Sequence, residues 1–314
     1  MRIGVDAMGG DYAPAAVVAG AIIAQKQLLP EQHIVLFGDE ALIKAELAKL
    51  NANPFDFEIV HCSEVIEMGE NPAKSLTKKP DSSIAVGFKW LATGKIDGFA
   101  SAGSTGAMLV GAMYAIKSIP GIIRPAIASY IPVGLENKFN LILDVGINPD
   151  CRPDVLYQYA MLGSIFSKLI FNNEEPRVAL LNIGEEEEKG NLVSKSAFEL
   201  MKDSTDFKFV GNVEGNDLFS NQKTDVVVCD GFVGNVVLKE AEAFYHLIKA
   251  RKIEDPYFER FNFENYGGTP ILGVNAPVII GHGISNAKAI MNMILQTQEV
   301  IATNLCGKIK EAFN

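Results

Sequence analysis

Short runs of apolar residues recur along the whole chain, each followed by a glycine or small polar turn and then by a helical pattern. The runs are nearly continuous in Val, Ile, Leu and Phe rather than alternating, which is typical of strands covered by helices on both faces. The predicted strands lie in RIGVD, HIVLFGD, FEIVH, GFASAG, NLILDVG, RVALLNIG, FKFVGN, DVVVCDG and PVIIGHG.

The alternation of strand and helix patterns predicts a doubly wound, mostly parallel α/β sheet with helices on both faces and right-handed crossovers. The segment IPGIIRPAIASYIPVGLENKFN is interpreted as an antiparallel or edge excursion. No linker rich in Pro, Gly or Ser divides the chain, so we expect a single α/β domain over residues 1–314. The predicted helices span 13–28, 39–50, 82–94, 104–117, 153–171, 191–203, 234–251 and 285–312.

Composition and charge narrow the class of protein. Hydrophobic residues make up 48% and charged residues 21% of the chain, which indicates a packed protein rather than a disordered one. The net charge of −10 argues against nucleic-acid binding, which needs a basic surface. The four cysteines lack metal-ligand spacing, and the chain has neither a signal peptide nor an apolar run of about 20 residues. We therefore expect a soluble cytoplasmic protein without a zinc site or disulfides.

Five predicted strand ends combine glycine with small polar residues, in the turns VDAMGGD, SAGSTGA, LDVGIN, CDGFVGNV and GHGISN. Glycine lets backbone N–H groups approach an anion, and a following helix N-terminus adds unpaired donors. Each turn alone is weak evidence and is better explained by the glycines and helix caps that tight strand-to-helix connections need. Five at the ligand-binding edge of one parallel sheet favour a phosphate-type pocket. None matches GxGxxG or GxxxxGK[ST], so a nucleotide is not indicated.

These turns supply most of the candidate phosphate ligands. The segment NPAKSLTKKPDSSI adds a cationic patch, although a solvated loop with a serine N-cap is an equally good interpretation. The aspartates at the strand ends do not form a compact carboxylate cluster, so we expect no metal and no cofactor. The candidate phosphate-binding residues are Asp6, Gly9, Gly10, Lys78, Lys79, Ser82, Ser83, Gly103, Ser104, Thr105, Gly106, Asn148, Asp230, Gly234 and His282.

The stretch LLNIGEEEEKGN begins as a buried strand and ends in a run of acidic residues. Glu185 to Glu188 are expected in the first turn of a helix, where the helix dipole favours acidic side chains. Lys189 is unfavourable at such a position by a few tenths of a kcal/mol. Its presence there suggests a charge partner or an anionic substrate.

Taken in order, VDAMGGD, SAGSTGA, RPAI, LDVGIN, RVALLNIGEEEEKGN, FVGNVEGNDL, DVVVCDGFVGNVVLK, NYGG and APVIIGHG resemble the bacterial phosphate acyltransferase family PlsX. The resemblance implies transfer of a fatty acyl group from acyl carrier protein to inorganic phosphate, forming acyl phosphate for phospholipid synthesis. It also implies a fold like those of phosphotransacetylases and isocitrate/isopropylmalate dehydrogenases. The implied partners are a second copy of the chain, a peripheral membrane surface and a downstream glycerol-3-phosphate acyltransferase.

The resemblance carries two catalytic positions onto this chain, Lys189 in EKGN and Asn235 in FVGN. Since phosphate is itself the nucleophile, no catalytic serine, cysteine or metal is required. The chain departs from the family pattern at Ser104, where the family usually has asparagine, and at the bulkier Ile147. Its basic segment is rich in lysine rather than arginine and carries Pro80.

The segment 236–266 is shorter than its counterpart in the family. Its apolar residues form a helical stripe, followed by aromatic residues interleaved with cations. We interpret it as a protruding amphipathic segment that contacts an anionic membrane surface or the acidic carrier protein. Packing against the other subunit or the core is an equally weighted alternative. The candidate contact residues are Lys249, Arg251, Lys252, Phe258, Arg260 and Phe261.

Two other functions fit parts of the pattern. One is a phosphotransacetylase-like transfer from a short acyl-CoA to phosphate, which shares the fold and the nucleophile. The other is a non-catalytic module that binds acyl phosphate or carrier protein, although such a module would not need both EKGN and FVGN. The acyl-chain preference depends on helix spacing, which the pattern does not define.

Overall fold

Buried runs of Val, Ile, Leu and Phe form the strands of the computed structural model, which describes residues 1–134, 138–220 and 223–314. The chain divides into two compact units. The first unit comprises Met1–Ser118 and Phe263–Cys306, and the second comprises Ile119–Asn262 and Gly307–Asn314. The predicted organisation as one domain, with a protruding segment at 236–266, stays a prediction.

The strands are β1 (Arg2–Asp6), β2 (His33–Gly38), β3 (Glu58–His61), β4 (Gly98–Ser101), β5 (Ala126–Val133), β6 (Lys138–Leu143), β7 (Arg177–Leu181), β8 (Lys208–Val213), β9 (Val226–Val228), β10 (Gly268–Leu272) and β11 (Val278–Gly281). The α-helices are α1 (Ala15–Gln25), α2 (Glu40–Lys49), α3 (Pro72–Lys78), α4 (Ser83–Ala92), α5 (Thr105–Gly111), α6 (Pro153–Ile170), α7 (Leu192–Met201), α8 (Asp217–Ser220), α9 (Gly231–Ala250), α10 (Pro256–Glu259), α11 (Ala287–Ala302) and α12 (Leu305–Ala312).

In the first unit the strands run in the order β3-β2-β1-β4-β11-β10. All neighbours are parallel except β10, which is antiparallel to β11. The carboxyl ends of β1, β4 and β11 therefore lie at one edge, with Gly4 opposite Phe99 and Ile280 opposite Ser101. This edge carries three of the five predicted turns.

Helices cover both faces of this sheet. A Cβ atom on Gly98 would point at Thr297 and Ile301 of α11, whereas the ring of Phe99 lies against Gly87 of α4. Because successive residues of a strand face opposite sides of a sheet, α11 and α4 cover opposite faces. The prediction of a sheet covered on both faces is confirmed here.

In the second unit the order is β5-β6-β9-β7-β8, parallel except for the antiparallel pair β5 and β6. Leu143, Val228 and Leu180 lie side by side at the carboxyl ends of β6, β9 and β7. The antiparallel interpretation of the stretch that contains β5 is confirmed, although residues 135–137 of that stretch lie outside the described residues.

Three elements differ from the sequence prediction. Strand β10 was not predicted, because it contains Pro270 and lacks a continuous apolar run. The helix predicted over 285–312 is two helices, α11 and α12, since Asn304 between them has a φ of 51°. The basic segment contains helix α3 where a loop was expected, with Asn71 as its N-cap residue. Among the described helices, none has the length and apolarity that spanning a membrane requires.

Candidate active site

Asp6 organises the strand-end turns of the first unit. It ends β1 fully buried, and its Oδ2 accepts a hydrogen bond of 2.6 Å from the Ser101 hydroxyl at the end of β4. The Ser101 oxygen in turn accepts the backbone N–H of Gly103 at 2.9 Å. Burial raises the pKa of Asp6, while hydrogen bonds from Ser101 and Ser83 act in the opposite direction. Asp6 and Ser83 therefore stabilise the turns after β1 and β4 through buried hydrogen bonds.

The glycines of the first turn are required by close approach. A Cβ on Gly9 would lie 2.4 Å from the Asp6 carboxylate and 2.7 Å from the nitrogen of Gly103. Gly10 has a φ of +105°, a left-handed conformation that favours glycine. The N–H of Asp11 donates to the Gly283 carbonyl at 2.7 Å, so the turns after β1 and β11 are directly joined.

The second turn opens helix α5. Ser104 is buried and is the N-cap residue, accepting a hydrogen bond from the nitrogen of Ala107 at 3.3 Å. Thr105 is exposed, and a Cβ on Gly106 would lie 2.5 Å from Pro72 of α3. His282, after β11, is half-buried with its ring 4.6 Å from that of Phe263.

In the basic segment, residues 71–84, some polar side chains are held by hydrogen bonds and others are exposed to solvent. Ser82 is the buried N-cap residue of α4, and its hydroxyl donates to the Lys79 carbonyl at 2.8 Å. The ammonium of Lys79 pairs with Glu70 and donates to the Val65 carbonyl at 2.7 Å. Lys78 is exposed and has no ion-pair partner in the described part of the chain. Of these two residues, Lys78 extends into solvent, whereas Lys79 is held by the fold.

The Lys79–Glu70 pair predicts a specific dependence of stability on pH. The hydrogen bond from Lys79 lowers the pKa of Glu70 from 4.5 to about 2. A carboxyl whose pKa is lower in the folded state stabilises the protein above its unfolded pKa, and that contribution is lost as the pH falls through the folded value. We expect Glu70→Gln to be less stable than the wild type at neutral pH, with a difference that shrinks between pH 4.5 and 2.

Urea unfolding followed by circular dichroism across this pH range measures the effect. Glu67→Gln, which removes an exposed carboxylate three residues earlier in the same loop, is the matched control. A difference in the free energy of unfolding between Glu70→Gln and the wild type that stays constant with pH would rule the ion pair out as its origin.

In the second unit, the turn after β6 is built around Asp144. This carboxylate is fully buried and accepts backbone N–H groups from Asn148 at 2.7 Å, from Ile127 at 3.1 Å and from Ile147 at 3.3 Å. Burial raises its pKa, while these hydrogen bonds lower it. Asp144 therefore closes the LDVGIN turn, and its oxygens are already used by the backbone.

Asn148 is also engaged inside the fold. Its amide nitrogen lies 2.7 Å from both the Pro125 carbonyl and the Tyr159 hydroxyl, and it is buried. Its carboxamide oxygen accepts a hydrogen bond of 3.4 Å from the guanidinium of Arg124. Arg124 is exposed and has no carboxylate partner among the described residues. The free donor capacity at this turn thus belongs to Arg124 rather than to Asn148.

Sequence reasoning did not identify Arg124 as a site residue. It directly precedes β5, whose antiparallel direction brings its start beside the carboxyl end of β6, with Ala128 opposite Leu143. The stretch RPAI contained the signal, a cation before a buried strand. The sequence prediction of an antiparallel or edge segment did not say that the start of β5 lies beside the carboxyl end of β6.

Helix α9 begins at the neighbouring strand end and presents Asn235. Asp230 is its N-cap residue, accepting a hydrogen bond from Val233 at 2.8 Å. A Cβ on Gly234 would lie 2.0 Å from the Asp144 carbonyl oxygen, so glycine lets the helix touch the turn. Asn235 is exposed, and its Nδ2 donates to the Val145 carbonyl at 3.2 Å. That contact fixes the direction of the side-chain amide.

Lys189 lies in the turn after β7. Its N–H donates to the Glu186 carbonyl at 3.1 Å, and its carbonyl accepts from the Asn182 amide at 3.2 Å. The side chain is 46% exposed, with its ammonium 4.0 Å from the Glu186 carboxylate. Since β9 lies between β6 and β7, Lys189 and Asn235 follow adjacent strand ends of one sheet edge.

The prediction that Glu185 to Glu188 form the first turn of a helix is wrong. Helix α7 starts at Leu192, with Asn191 as its N-cap residue and no acidic residue in its first turn. Gly190, with a φ of +91°, separates the acidic run from the helix. Glu185 to Glu188 are all exposed, and Glu185 lies 3.7 Å from the ammonium of Lys223. The acidic run is therefore a solvated turn.

The candidate contact residues at the end of α9 and after it occupy different environments. Arg251 and Lys252 are exposed, and Lys249 pairs with Glu259 at 2.7 Å. Phe258 and Phe261 are half-buried.

Arg260 is held by the second unit itself. Its guanidinium lies 4.8 Å from the ring of Phe139 and donates to the Gly134 carbonyl at 3.2 Å. It therefore joins the segment after α9 to the end of β5.

The residues at these turns favour neither a cysteine nucleophile nor a metal centre. Cys229 is buried, and burial raises the pKa of its thiol well above the ordinary value. A thiol in that state is a poor nucleophile. Within residues 1–134, 138–220 and 223–314, no group of three His, Cys, Asp or Glu side chains is arranged to hold a metal ion.

Known proteins match this chain over its whole length. A sequence model of the fatty acid synthesis protein family matches residues 1–255 and, in a second stretch, 245–308. A phosphate acyltransferase from Dictyoglomus turgidum is 42% identical over 333 aligned positions, covering 100% of this chain and 98% of that protein. A phosphotransacetylase from Streptococcus pyogenes has a TM-score of 0.67 at 19% identity, with 96% of this chain and 94% of that one covered. A 4-hydroxythreonine-4-phosphate dehydrogenase from Klebsiella pneumoniae has a TM-score of 0.55 at 12% identity, with 96% and 98% covered.

The likeness to the two solved structures establishes the fold, and the full-length relative adds the chemistry. Together with the glycine turns at the strand ends, they define an α/β acyltransferase with the phosphotransacetylase fold. The chain belongs to the fatty acid synthesis protein family, as a member of the phosphate acyltransferases known as PlsX. The predicted resemblance and fold class are confirmed.

Proposed function

We propose that this protein transfers a fatty acyl group from acyl carrier protein to inorganic phosphate, and that Lys189 and Asn235 are its catalytic residues. A phosphate oxygen attacks the thioester carbon, a C–O bond forms, the C–S bond breaks, and the carrier thiolate leaves and takes up a proton. The observation that supports this most directly is that the exposed ammonium of Lys189 and the exposed, oriented amide of Asn235 follow the carboxyl ends of two neighbouring strands.

The two side chains fit complementary roles. Lysine holds a phosphate dianion as a point charge, and the 46% exposure of Lys189 leaves its ammonium open to solvent. The Asn235 amide carries two N–H donors. One is used by the Val145 carbonyl, and the second is available to the oxyanion that develops on the thioester oxygen. Arg124 adds a second cation at the same sheet edge.

Thiol release from palmitoyl carrier protein, with and without inorganic phosphate and with hydroxylamine as a trap, tests the proposed reaction. Release that depends on phosphate, together with palmitohydroxamate, is the expected result. Release from acyl-CoA but not from acyl carrier protein would favour the phosphotransacetylase-like reaction. Carrier protein binding without any release would favour the non-catalytic module.

The proposal includes a homodimer and a peripheral contact with membrane or carrier protein through the end of α9. Exposed Arg251 and Lys252 provide local positive charge in a chain of net charge −10. Phe232 and Leu247 of α9 are 65% and 53% exposed, which supports an apolar contact with a second copy. Sedimentation with anionic liposomes tests the membrane contact, and unchanged binding after Arg251→Glu and Lys252→Glu would exclude these two residues from it.

A further inference from the structure

The turn that carries Lys189, residues 184–190, has little apolar packing of its own. Glu185 to Glu188 and Lys189 are exposed, and the turn begins and ends with a glycine. A segment with few buried apolar contacts depends on hydrogen bonds to its backbone for a defined conformation. The position of the Lys189 ammonium therefore depends on the groups that hold this backbone.

The side chain of Lys189 follows the backbone of the turn closely. A Cβ atom on Gly184 would lie 2.8 Å from Cγ and 3.2 Å from Cδ of Lys189, so the aliphatic part of the lysine lies directly against this glycine. At the other end of the turn, a Cβ on Gly190 would lie 2.4 Å from Oδ1 of Asn182. A change in the backbone of the turn would therefore move the ammonium.

A buried asparagine of the neighbouring strand β8 holds the middle of the turn. Nδ2 of Asn212 donates to the Glu186 carbonyl at 2.9 Å, and the same carbonyl accepts the backbone N–H of Lys189 at 3.1 Å. On the other side, the Asn182 amide donates to the Lys189 carbonyl at 3.2 Å. The backbone of Lys189 is thus held by two asparagine amides, directly by Asn182 and through Glu186 by Asn212.

A β-bulge brings Asn212 to this position. Strand β8 has one residue more than β7 between the pairs Val178–Phe209 and Leu180–Asn212. Gly211, inside this stretch, has a φ of +98°, a conformation that favours glycine. Asn212, directly after it, is only 5% exposed. Bulges often redirect a side chain beside an active site, and this one directs Asn212 to the turn between β7 and α7.

The carboxamide oxygen of Asn212 is buried without a partner. Within residues 1–134, 138–220 and 223–314, no group donates a hydrogen bond to this Oδ1. A buried acceptor left unpaired costs free energy, and an apolar group of similar shape would avoid that cost. The amide donor to Glu186, rather than a gain in stability, is therefore the property that explains an asparagine at this position.

We propose that Asn212 is a positioning residue for phosphate binding. Through the Glu186 carbonyl it fixes the backbone of Lys189, so that the ammonium is held where phosphate binds. The inference rests on the proposed function, in which Lys189 holds the phosphate. Asn235 lies on helix α9 and shares none of these hydrogen bonds, so loss of the Asn212 amide should affect phosphate and not the acyl substrate.

Asn212→Leu removes the donor and the unpaired oxygen while nearly keeping the shape of the side chain. We expect KM for phosphate to rise by about 2- to 10-fold, the usual effect of one hydrogen bond. The melting temperature and KM for acyl carrier protein should stay close to those of the wild type.

Asn140→Leu is the matched control. It makes the same change at a buried asparagine near the amino end of β6, where Nδ2 donates to the Thr224 hydroxyl at 3.1 Å. This variant should leave KM for phosphate unchanged. A lower melting temperature with an unchanged KM for phosphate in Asn212→Leu would show a purely structural role and overturn the proposal.

A double-mutant cycle with Lys189→Ala separates positioning from an independent effect. Asn212→Leu should change kcat/KM for phosphate little once the Lys189 ammonium is gone, whereas effects that multiply would show that the two residues act separately. Asn212→Ala takes the place of Asn212→Leu if circular dichroism shows that the latter does not fold.

The same cycle distinguishes failure of this inference from failure of the proposed function. An unchanged KM for phosphate in Lys189→Ala would remove the role of Lys189 and the positioning role with it. A KM for phosphate that rises in Lys189→Ala but in neither Asn212 variant would leave the proposed function intact and overturn the inference alone.

Discussion

Replacing Asn235 with alanine is expected to lower kcat for acyl transfer to phosphate by about 10²–10³-fold, the usual effect of losing one oxyanion donor. The amide is aimed by its 3.2 Å contact with the Val145 carbonyl, and it is the side chain at the start of α9 with a donor to offer the thioester oxygen. Because the oxyanion exists only in the transition state, kcat should fall while KM for the acyl substrate changes little.

The backbone around position 235 should survive this change. Gly234 and Asp230 set the start of α9 through backbone contact and the N-cap hydrogen bond, and neither involves the Asn235 side chain. Val236→Ala, at the next exposed position of α9, is the matched control. A folded Asn235→Ala protein with the kcat of the wild type would remove Asn235 from the proposed mechanism.

Replacing Lys189 with alanine should raise KM for phosphate and lower kcat/KM by about 10- to 100-fold, since a hydrogen bond to a charged group contributes about 1.5–3 kcal/mol. The turn itself is held by the Asn182 amide and by backbone contacts, so the truncation removes the ammonium and little else. Lys189→Arg keeps the charge but presents a planar, forked donor, and it should recover only part of the activity.

Steady-state kinetics with phosphate as the varied substrate measures this effect. Lys195→Ala, which removes another exposed lysine from helix α7 of the same unit, is the control for the loss of one positive charge. Equal KM values for phosphate in Lys189→Ala and Lys195→Ala would show that Lys189 does not bind the anion.

Local sequence patterns predicted most of the fold. RIGVD and RVALLNIG form β1 and β7, because continuous apolar runs suit strands buried on both faces. Helix α3 was not predicted, although Asn71 followed by Pro72 is a cap and first-turn signal. The lysines of the same segment favoured an exposed loop instead of a helix. The break between α11 and α12 depends on the left-handed conformation of Asn304, which has neither glycine nor proline to mark it.

The candidate site was less predictable, because its geometry depends on contacts between distant parts of the chain. Lys189 and Asn235 were assigned through the family resemblance, whereas Arg124 emerged only when the antiparallel pairing of β5 and β6 was seen. Asn148 has the composition of a ligand, but its amide contacts the Pro125 carbonyl, 23 residues away in the chain. The local sequence does not distinguish a buried asparagine whose amide is used within the fold, such as Asn148, from an exposed one such as Asn235.

Mass spectrometry of the product formed from palmitoyl carrier protein and isotopically oxygen-labelled inorganic phosphate is the most direct test of phosphate as the nucleophile. We expect palmitoyl phosphate that keeps all the labelled oxygens, since the attacking oxygen becomes the bridge between carbon and phosphorus. Unlabelled palmitic acid, released at the same rate with and without phosphate, would mean that water attacks the thioester and would contradict acyl transfer to phosphate.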